Sequence, residues 1–324
     1  MSVKKSILTA AGILISIYSI STFAWEDSKV PSPRSGFSMA WDSARHVLVL
    51  HGGIVPGGRL QDTWEWNEKG WRLACESGPA ALSDHALEYD PARNTVLLFG
   101  GRDSEGKLNG TTWGWDSNSC SWNKLSDSGP PPRNLFEMAY DPGREVIVLF
   151  GGSGEGRKSI NDTWEWNGKN WNQVATDGPS PRGSYALAYD PVMEAMILTG
   201  GWGTTSSLGE TWSWDGKAWK KHDLVTPART HHAMAFDTKR NRMVLMGGFS
   251  SGGRSSQLYE LMDNRWQLIN AEGPGARAEH EILYAPDHGI LLFGGITGQK
   301  MSFKERQRMN DLWLWNGQSW RELK

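Results

Sequence analysis

Between Pro132 and Val174 the hydrophobic pattern reads as four short strands. Phe136-Glu-Met-Ala-Tyr140 is the first, ended by the turn Asp141-Pro-Gly-Arg144. Val146-Ile-Val-Leu-Phe150 is an unbroken apolar run, as expected of a strand covered on both faces. Gly151-Gly152 then lets the backbone leave the sheet in conformations closed to other residues. Thr163-Trp-Glu-Trp166 alternates with period two, which puts both tryptophans on one side of a third strand. Asn167-Gly-Lys-Asn170 is a hairpin turn, and Trp171-Asn-Gln-Val174 opens the fourth strand.

This pattern occurs six times, with glycine pairs at 52/53, 100/101, 151/152, 200/201, 247/248 and 294/295. A period of 47 to 51 residues carrying Gly-Gly and spaced aromatics is that of a propeller blade. Four antiparallel strands with aromatics on one face must bury that face against the next blade, and closing the ring removes the sheet edges. The predicted fold is all-β: a six-bladed β-propeller with four antiparallel strands per blade, the blades spanning about 31–74, 79–125, 130–174, 179–223, 226–269 and 274–324. Of 19 tryptophans, 16 fall on third- and fourth-strand positions, which assigns them to inter-blade packing rather than to a sugar-binding surface. In blade five Tyr259 and Leu261 replace Trp-x-Trp.

Tokens such as Phe150-Gly-Gly152 and Asn161-Asp-Thr-Trp164 resemble the kelch family, in particular the bacterial kelch-type repeats grouped with the propeller of galactose oxidase. The resemblance covers roughly Pro31 to Lys324 and implies a six-bladed propeller in a family of scaffolds, ligand binders and a few enzymes. The copper chemistry of the oxidase does not carry over, because Cys75 and Cys120 both fall near outer strands, away from the axis.

Residues 1–24 read as a secretory leader: Lys4 and Lys5, an apolar stretch, then Ser21-Thr-Phe-Ala24 before the cut. Residues 25–324 form the propeller, and the expected location is periplasmic or secreted, with no membrane span after cleavage. Loss of the leader takes the formal net charge from −2 to −4, so no global field favours nucleic acid. Export places Cys75 and Cys120 where a disulfide can form, yet their positions point to opposite ends of their blades, which leaves the pairing open. Trp320-Arg-Glu-Leu323 is expected as the outer strand of blade six, with Trp25 packed beside it and no interleaved closing blade.

Loops before the first strand and after Gly-Gly share one face; the 1–2 and 3–4 turns share the other. The first face has the longer, unequal loops, the longest running from Ile296 to Asn310, and unequal loops on a rigid scaffold are where binding develops. Arg34, Arg133, Arg182, Arg229 and Arg277 recur just before the innermost strand, with Leu82 in their place in blade two. Arg59, Arg102, Arg157, Lys158, Arg254, Lys300, Lys304, Arg306 and Arg308 add to the same face. An arginine ring can clamp a carboxylate, sulfate or phosphate, or each arginine can pair with an acid starting strand three, such as Asp62, Asp162, Glu210 or Asp311. Three residues past each arginine position stand Phe37, His85, Phe136, Tyr185, His232 and His280, a series that fits core packing. Trp202, directly after Gly200-Gly201, is placed to stack on a sugar or a peptide side chain, or else to cover its own blade.

No catalytic, phosphate-binding or dinucleotide motif and no metal-ligand spacing is present, so no cofactor and no metal is expected. The leading expectation is an exported, non-catalytic module that binds an anionic glycan or an acidic protein segment through Arg34, Arg133, Arg182, Arg229, Arg277 and Trp202. The alternatives are an enzyme similar to the periplasmic kelch-type epimerases of sialic acid, using His232, Glu279 or His280 as acid or base, and a scaffold in an envelope assembly.

Overall fold

The computed structural model describes residues 29–298 and 306–323. The leader, Trp25, Lys300 and Lys304 lie outside the described residues. Six four-stranded antiparallel sheets follow one another along the chain. Blade three shows the common plan: Glu137–Asp141, Val146–Ser153, Ser159–Trp166 and Trp171–Ala175 lie side by side, with Met138 opposite Leu149, Leu149 opposite Trp164 and Trp166 opposite Trp171. The outer strand of blade six is Trp320–Leu323, paired with Leu312–Trp315 of the same segment.

Chemistry local to each repeat sets the turns. Asp141 Oδ1 accepts from the backbone N–H of Gly143 and Arg144 at 3.0 and 3.1 Å, which folds the chain back between the first and second strands. Arg144 is held by the other oxygen of Asp141 and reaches Glu165 on the third strand. Arg45 and Arg240 repeat the arrangement with Asp42 and Glu65, and with Asp237 and Glu260.

The innermost strands touch their neighbours in order around a ring, blade six meeting blade one. Each main hydrophobic cluster spans two adjacent blades. Leu97 and Phe99 of blade two pack with Met138, Leu149, Trp166 and Trp171 of blade three, and Leu291 and Phe293 of blade six pack with Phe37, Leu50 and Trp71 of blade one. The core is thus a set of six seams around an axial channel. Hydrogen bonds repeat across the seams as well. Trp122, Trp171, Trp219 and Trp266 each donate to a threonine that begins strand three of the preceding blade, Thr63, Thr112, Thr163 and Thr211.

Cys75 and Cys120 form a disulfide, with Cα atoms 5.4 Å apart. The expectation that they point to opposite ends ignores sheet twist. Each strand is rotated by about 20–25° from its neighbour, so the outer edge of blade two leans across the end of blade one. Trp122, two residues past Cys120, lies in the same way against Thr63, the partner of Cys75 in blade one.

Candidate functional site

The five arginines of the repeat are not on the basic face. Arg34, Arg133, Arg182 and Arg229 are fully buried and Arg277 nearly so. Each donates to the carbonyl of the first glycine of its own Gly-Gly pair, as Arg133 does to Gly151 at 2.9 Å. Arg34 clamps Asp62, Arg133 clamps Asp162 and Arg277 clamps Asp311 with two hydrogen bonds each, and Arg182 bonds Glu210. The acids at strand three therefore take up the guanidinium groups, and no ligand can reach them without breaking the blade. Blade two supports the same conclusion. Leu82 replaces the arginine, Thr111 stands where the acid would be, and Leu82 is fully buried. In blade five the acid alone is replaced: Arg229 has Gln257 Oε1 at 3.4 Å and the Tyr259 ring at 4.7 Å.

His232 and His280 are likewise turned into seams. A Cβ added to Gly200 would lie 2.6 Å from His232 Cε1, and one added to Gly247 would lie 2.6 Å from His280 Cε1. Burial, with a nearby arginine, holds His280 down to about 3 and His232 well below the usual imidazole range. Neutral, enclosed rings of this kind are poor acids or bases at neutral pH, which removes the chemistry assigned to them in the epimerase reading. Glu279 stands apart, on the rim of the channel.

That rim is built from the residue two places after each arginine position: Gly36, Asp84, Leu135, Ser184, His231 and Glu279. All six have φ between 53° and 61°, a left-handed conformation that turns the backbone amide toward the next blade. Asp84 N donates to Gly36 O, Leu135 N to Asp84 O, Ser184 N to Leu135 O, His231 N to Ser184 O and Glu279 N to His231 O, at 2.8 to 3.1 Å. Burial and then the charge of Glu279 push the Asp84 carboxyl up to about 6, against the pull of Ser83 and Arg59. His231 shares hydrogen bonds with Ser184 and Thr230 at 3.1 Å, and burial lowers its pKa.

Around the rim lies a second ring, the residue directly after each Gly-Gly pair. Ile54, Ser153, Trp202 and Phe249 bridge to Ser35, Asn134, Gly183 and Thr230 beside it. Trp202 thus occupies a repeated position after all, but its side chain is 49% exposed, and it is the one exposed aromatic among the described residues. Arg254 stacks on Phe249 at 5.1 Å, and Phe249 meets His231 edge-on. Between the loops of blades two and three is an open groove of about 470 Å³, lined by Arg102, Lys107 and Arg157 with Glu105 and Glu155.

Below the rim the channel widens into a funnel of about 430 Å³ that opens among the short turns, at Pro91, Pro142, Pro191 and Pro286. Three carboxyl groups line it: Glu88, Glu137 and Glu281. The position of Glu137 and Glu281 is occupied by Ser38, Ala86, Ala186 and Ala233 in the other blades. That of Glu88, one pleat lower, is occupied by Ala40, Ala139, Ala188, Ala235 and Leu283. Glu281 Oε2 accepts from Met39 N at 2.5 Å and Glu88 Oε1 from Tyr140 N at 3.2 Å, each tying its blade to the next. All three residues are half-buried on the funnel wall. Burial pushes Glu88 and Glu137 up to about 8, and burial with the facing charge of Glu137 pushes Glu281 well above the usual carboxylate range. Sequence reasoning missed these acids. The available signal was a glutamate at inner-strand positions that hold alanine or serine in most blades.

A closed ring of four-stranded blades with a binding-scale axial funnel and a loop-rich face defines an interaction propeller. Residues 66–221, just under half of the chain, match the model of the KLHDC2/KLHL20/DRC7 Kelch-repeats domain, which supports the kelch-repeat resemblance. It is 28% identical over 119 residues to tRNA wybutosine-synthesizing protein 4 of Aspergillus fumigatus, across 36% of this chain and 11% of that protein. It is 30% identical over 132 residues to human multiple epidermal growth factor-like domains protein 8, across 38% of this chain and 4% of that protein. It is 30% identical over 131 residues to dynein regulatory complex subunit 7 of Chlamydomonas reinhardtii, across 35% of this chain and 11% of that protein. The chain matches about a tenth or less of the length of these relatives. Kelch repeats build protein-interaction modules, and no helix among the described residues is long and apolar enough to cross a membrane.

Proposed function

We propose that the chain is an exported, non-catalytic module that binds an acidic segment of a partner protein through its loop-rich face. The observation that carries this reading is Trp202. A large aromatic left half-exposed on a bridge fixed to Gly183 is a preorganised anchor, and such residues dominate interface energetics. Arg102, Lys107, Arg157 and Lys158 in the loops of blades two and three supply the positive charge, in place of the enclosed arginine ring. The leader pattern of residues 1–24 supports export.

Binding of a deca-glutamate peptide, a deca-lysine peptide and a heparin oligosaccharide to the full chain tests the reading. We expect the glutamate peptide to bind with strong salt dependence and to be weakened about tenfold, near 1.4 kcal/mol, by Trp202→Ala or by Arg157→Glu with Lys158→Glu. Stronger binding of heparin would redirect the proposal to an anionic glycan. Equal binding of the lysine peptide, or indifference to both variants, would remove this face as the site.

A further inference from the structure

The axial funnel lies away from the loop-rich face and holds three carboxyl groups with no lysine or arginine among its lining residues. Blades three and six stand opposite each other in a ring of six, so Glu137 and Glu281 face one another across the channel at the same level. Glu281 and Glu88 have structural work, accepting N–H groups of the next blade. Glu137 does not: its carboxyl accepts no hydrogen bond among the described residues, and the residue is half-buried on the wall of the funnel.

We infer that the funnel is a binding site for an alkylammonium group, entered from the short-turn face, with Glu137 and Glu281 as counter-charges and the apolar wall receiving the alkyl chain. A volume of about 430 Å³ falls within the range of small-ligand pockets, about 300–1,000 Å³. An ammonium carries three donors and no acceptor, which suits a wall offering carboxyl oxygens and no competing cation. Among the described residues no group of three or more His, Cys, Asp or Glu is arranged to hold a metal ion, so the acids suit a larger organic cation better. Met39, Met138, Leu187, Met234 and Ile282 supply the apolar contact.

Proton balance gives the site a signature. In the empty funnel burial keeps Glu137 protonated to about pH 8, and burial with the facing charge of Glu137 raises Glu281 as well. An entering ammonium pairs with a carboxylate, and the displaced carboxyl proton leaves to solvent. The other groups facing Glu137 are Glu88, Glu281 and Tyr185, whose hydroxyl accepts from Glu137 N, with His232 and His280 on the wall held neutral by burial and Asp90 behind Glu88. Affinity therefore rises with pH toward 8 and falls again where the amine itself deprotonates, near 10.4 for a lysine-like amine.

Titration calorimetry on the full chain with n-butylammonium chloride tests this, with n-butanol as the neutral isostere. We expect saturable ammonium binding at pH 8, a heat that changes with buffer in the sense of proton release, and binding about fiftyfold weaker at pH 6. Glu137→Gln should weaken binding by about tenfold or more at pH 8, with its circular dichroism and Tm confirming the fold. Ala186→Leu, at a lining position that also packs in the seam between blades four and five, should weaken it as well where its Tm confirms the fold. Tighter binding of 1,4-diaminobutane identifies a free polyamine as the source, and tighter binding of Nα-acetyl-lysine methylamide a lysine side chain of a protein. No saturation by about 10 mM ammonium, equal binding of n-butanol, or indifference to both variants overturns the inference. Trp202→Ala leaves all these titrations unchanged, so failure here and failure of the loop-rich face are separately visible.

Discussion

Arg133 and Glu137 stand four residues apart and meet opposite fates. The arginine is enclosed and makes four hydrogen bonds, whereas the glutamate is half-buried and its carboxyl accepts none among the described residues. Removing one partner of a buried pair leaves an uncompensated charge, so Asp162→Ala should cost about 3–5 kcal/mol in urea unfolding. Blade two replaces both members together with Leu82 and Thr111, and the double variant Arg133→Leu with Asp162→Thr should recover most of that loss. The two kinds of acid also pull stability in opposite directions with pH. Burial works to raise Glu210, but Arg182 and Lys221 bring it down to about 2, so its contribution is present above the unfolded value near 4.5 and is lost as pH falls toward 2. Glu88 and Glu137 are raised to about 8, so the folded chain holds protons that the unfolded chain has released. Their effect is a fall in stability as pH rises from about 4.5 to 8, at most about 1.4 kcal/mol per pH unit for each carboxyl. Thermal melts should show a maximum in mild acid and a flatter alkaline side for Glu137→Gln. The arginine pairs were legible in the sequence because they recur with their acids. The lumen acids were not, since they occupy two different repeat positions and no repetition flags them.

At the scale of strands and their connections, the glycine pair and the aromatic that follows each arginine position are one device. The first glycine of blade two has Phe136 of blade three where a Cβ would sit, 2.5 Å away, and the second has its own His85 at 2.7 Å. Repetition made both tokens visible, while their interlock needed coordinates because it joins different blades. Gly247→Ala would place its Cβ 2.6 Å from His280 in a backbone with φ of 69°. We expect a loss of about 2–4 kcal/mol, the left-handed strain adding to the overpacking. Gly57→Ala, where nothing lies within 4 Å of the added Cβ, should stay within about 0.5 kcal/mol of the parent. Trp202 was legible as an exception and its exposure was not, because its backbone bridge is shared with Ile54 and Phe249 while its outward side chain is its own.

Over the whole molecule the seams are not equal, and the differences determine where the ring opens. Every seam, including that between blades six and one, carries the bond from the second glycine of the pair to the carbonyl at the next arginine position, as Gly295 N does to Arg34 O at 3.0 Å. The seam between blades one and two adds the Cys75–Cys120 disulfide. Cys75→Ser with Cys120→Ser should lower stability by about 2–4 kcal/mol, the range for a crosslink closing a loop of this size. The tryptophan-to-threonine bond joins the four seams from blade one to blade five. Leu258 stands in place of the threonine at the next seam, and Leu312 at the seam between blades six and one. That last seam also lacks the rim bond that the other five have, because no bond from Gly36 N to Glu279 O is present among the described residues. It is the seam with no covalent continuity between its two innermost strands, so beside the Gly295 and Met309 bonds to Arg34 its integrity rests on Phe37, Trp71 and Phe293, on Glu281 reaching Met39 N, and on Asn310 and Asp287 reaching Pro31 and His46. Local opening follows the weakest cooperative boundary. Hydrogen exchange read by mass spectrometry should therefore show Glu281–Ala285 and Ser38–Asp42 exchanging before Glu137–Asp141 and Ala186–Asp190, all four being innermost strands of the same length. Uniform exchange around the ring would mean that the shared Gly-to-Arg bonds alone set its stability. Leu312→Thr, which offers Trp71 the acceptor present at the other seams, should slow exchange at blades six and one and leave blades three and four unchanged.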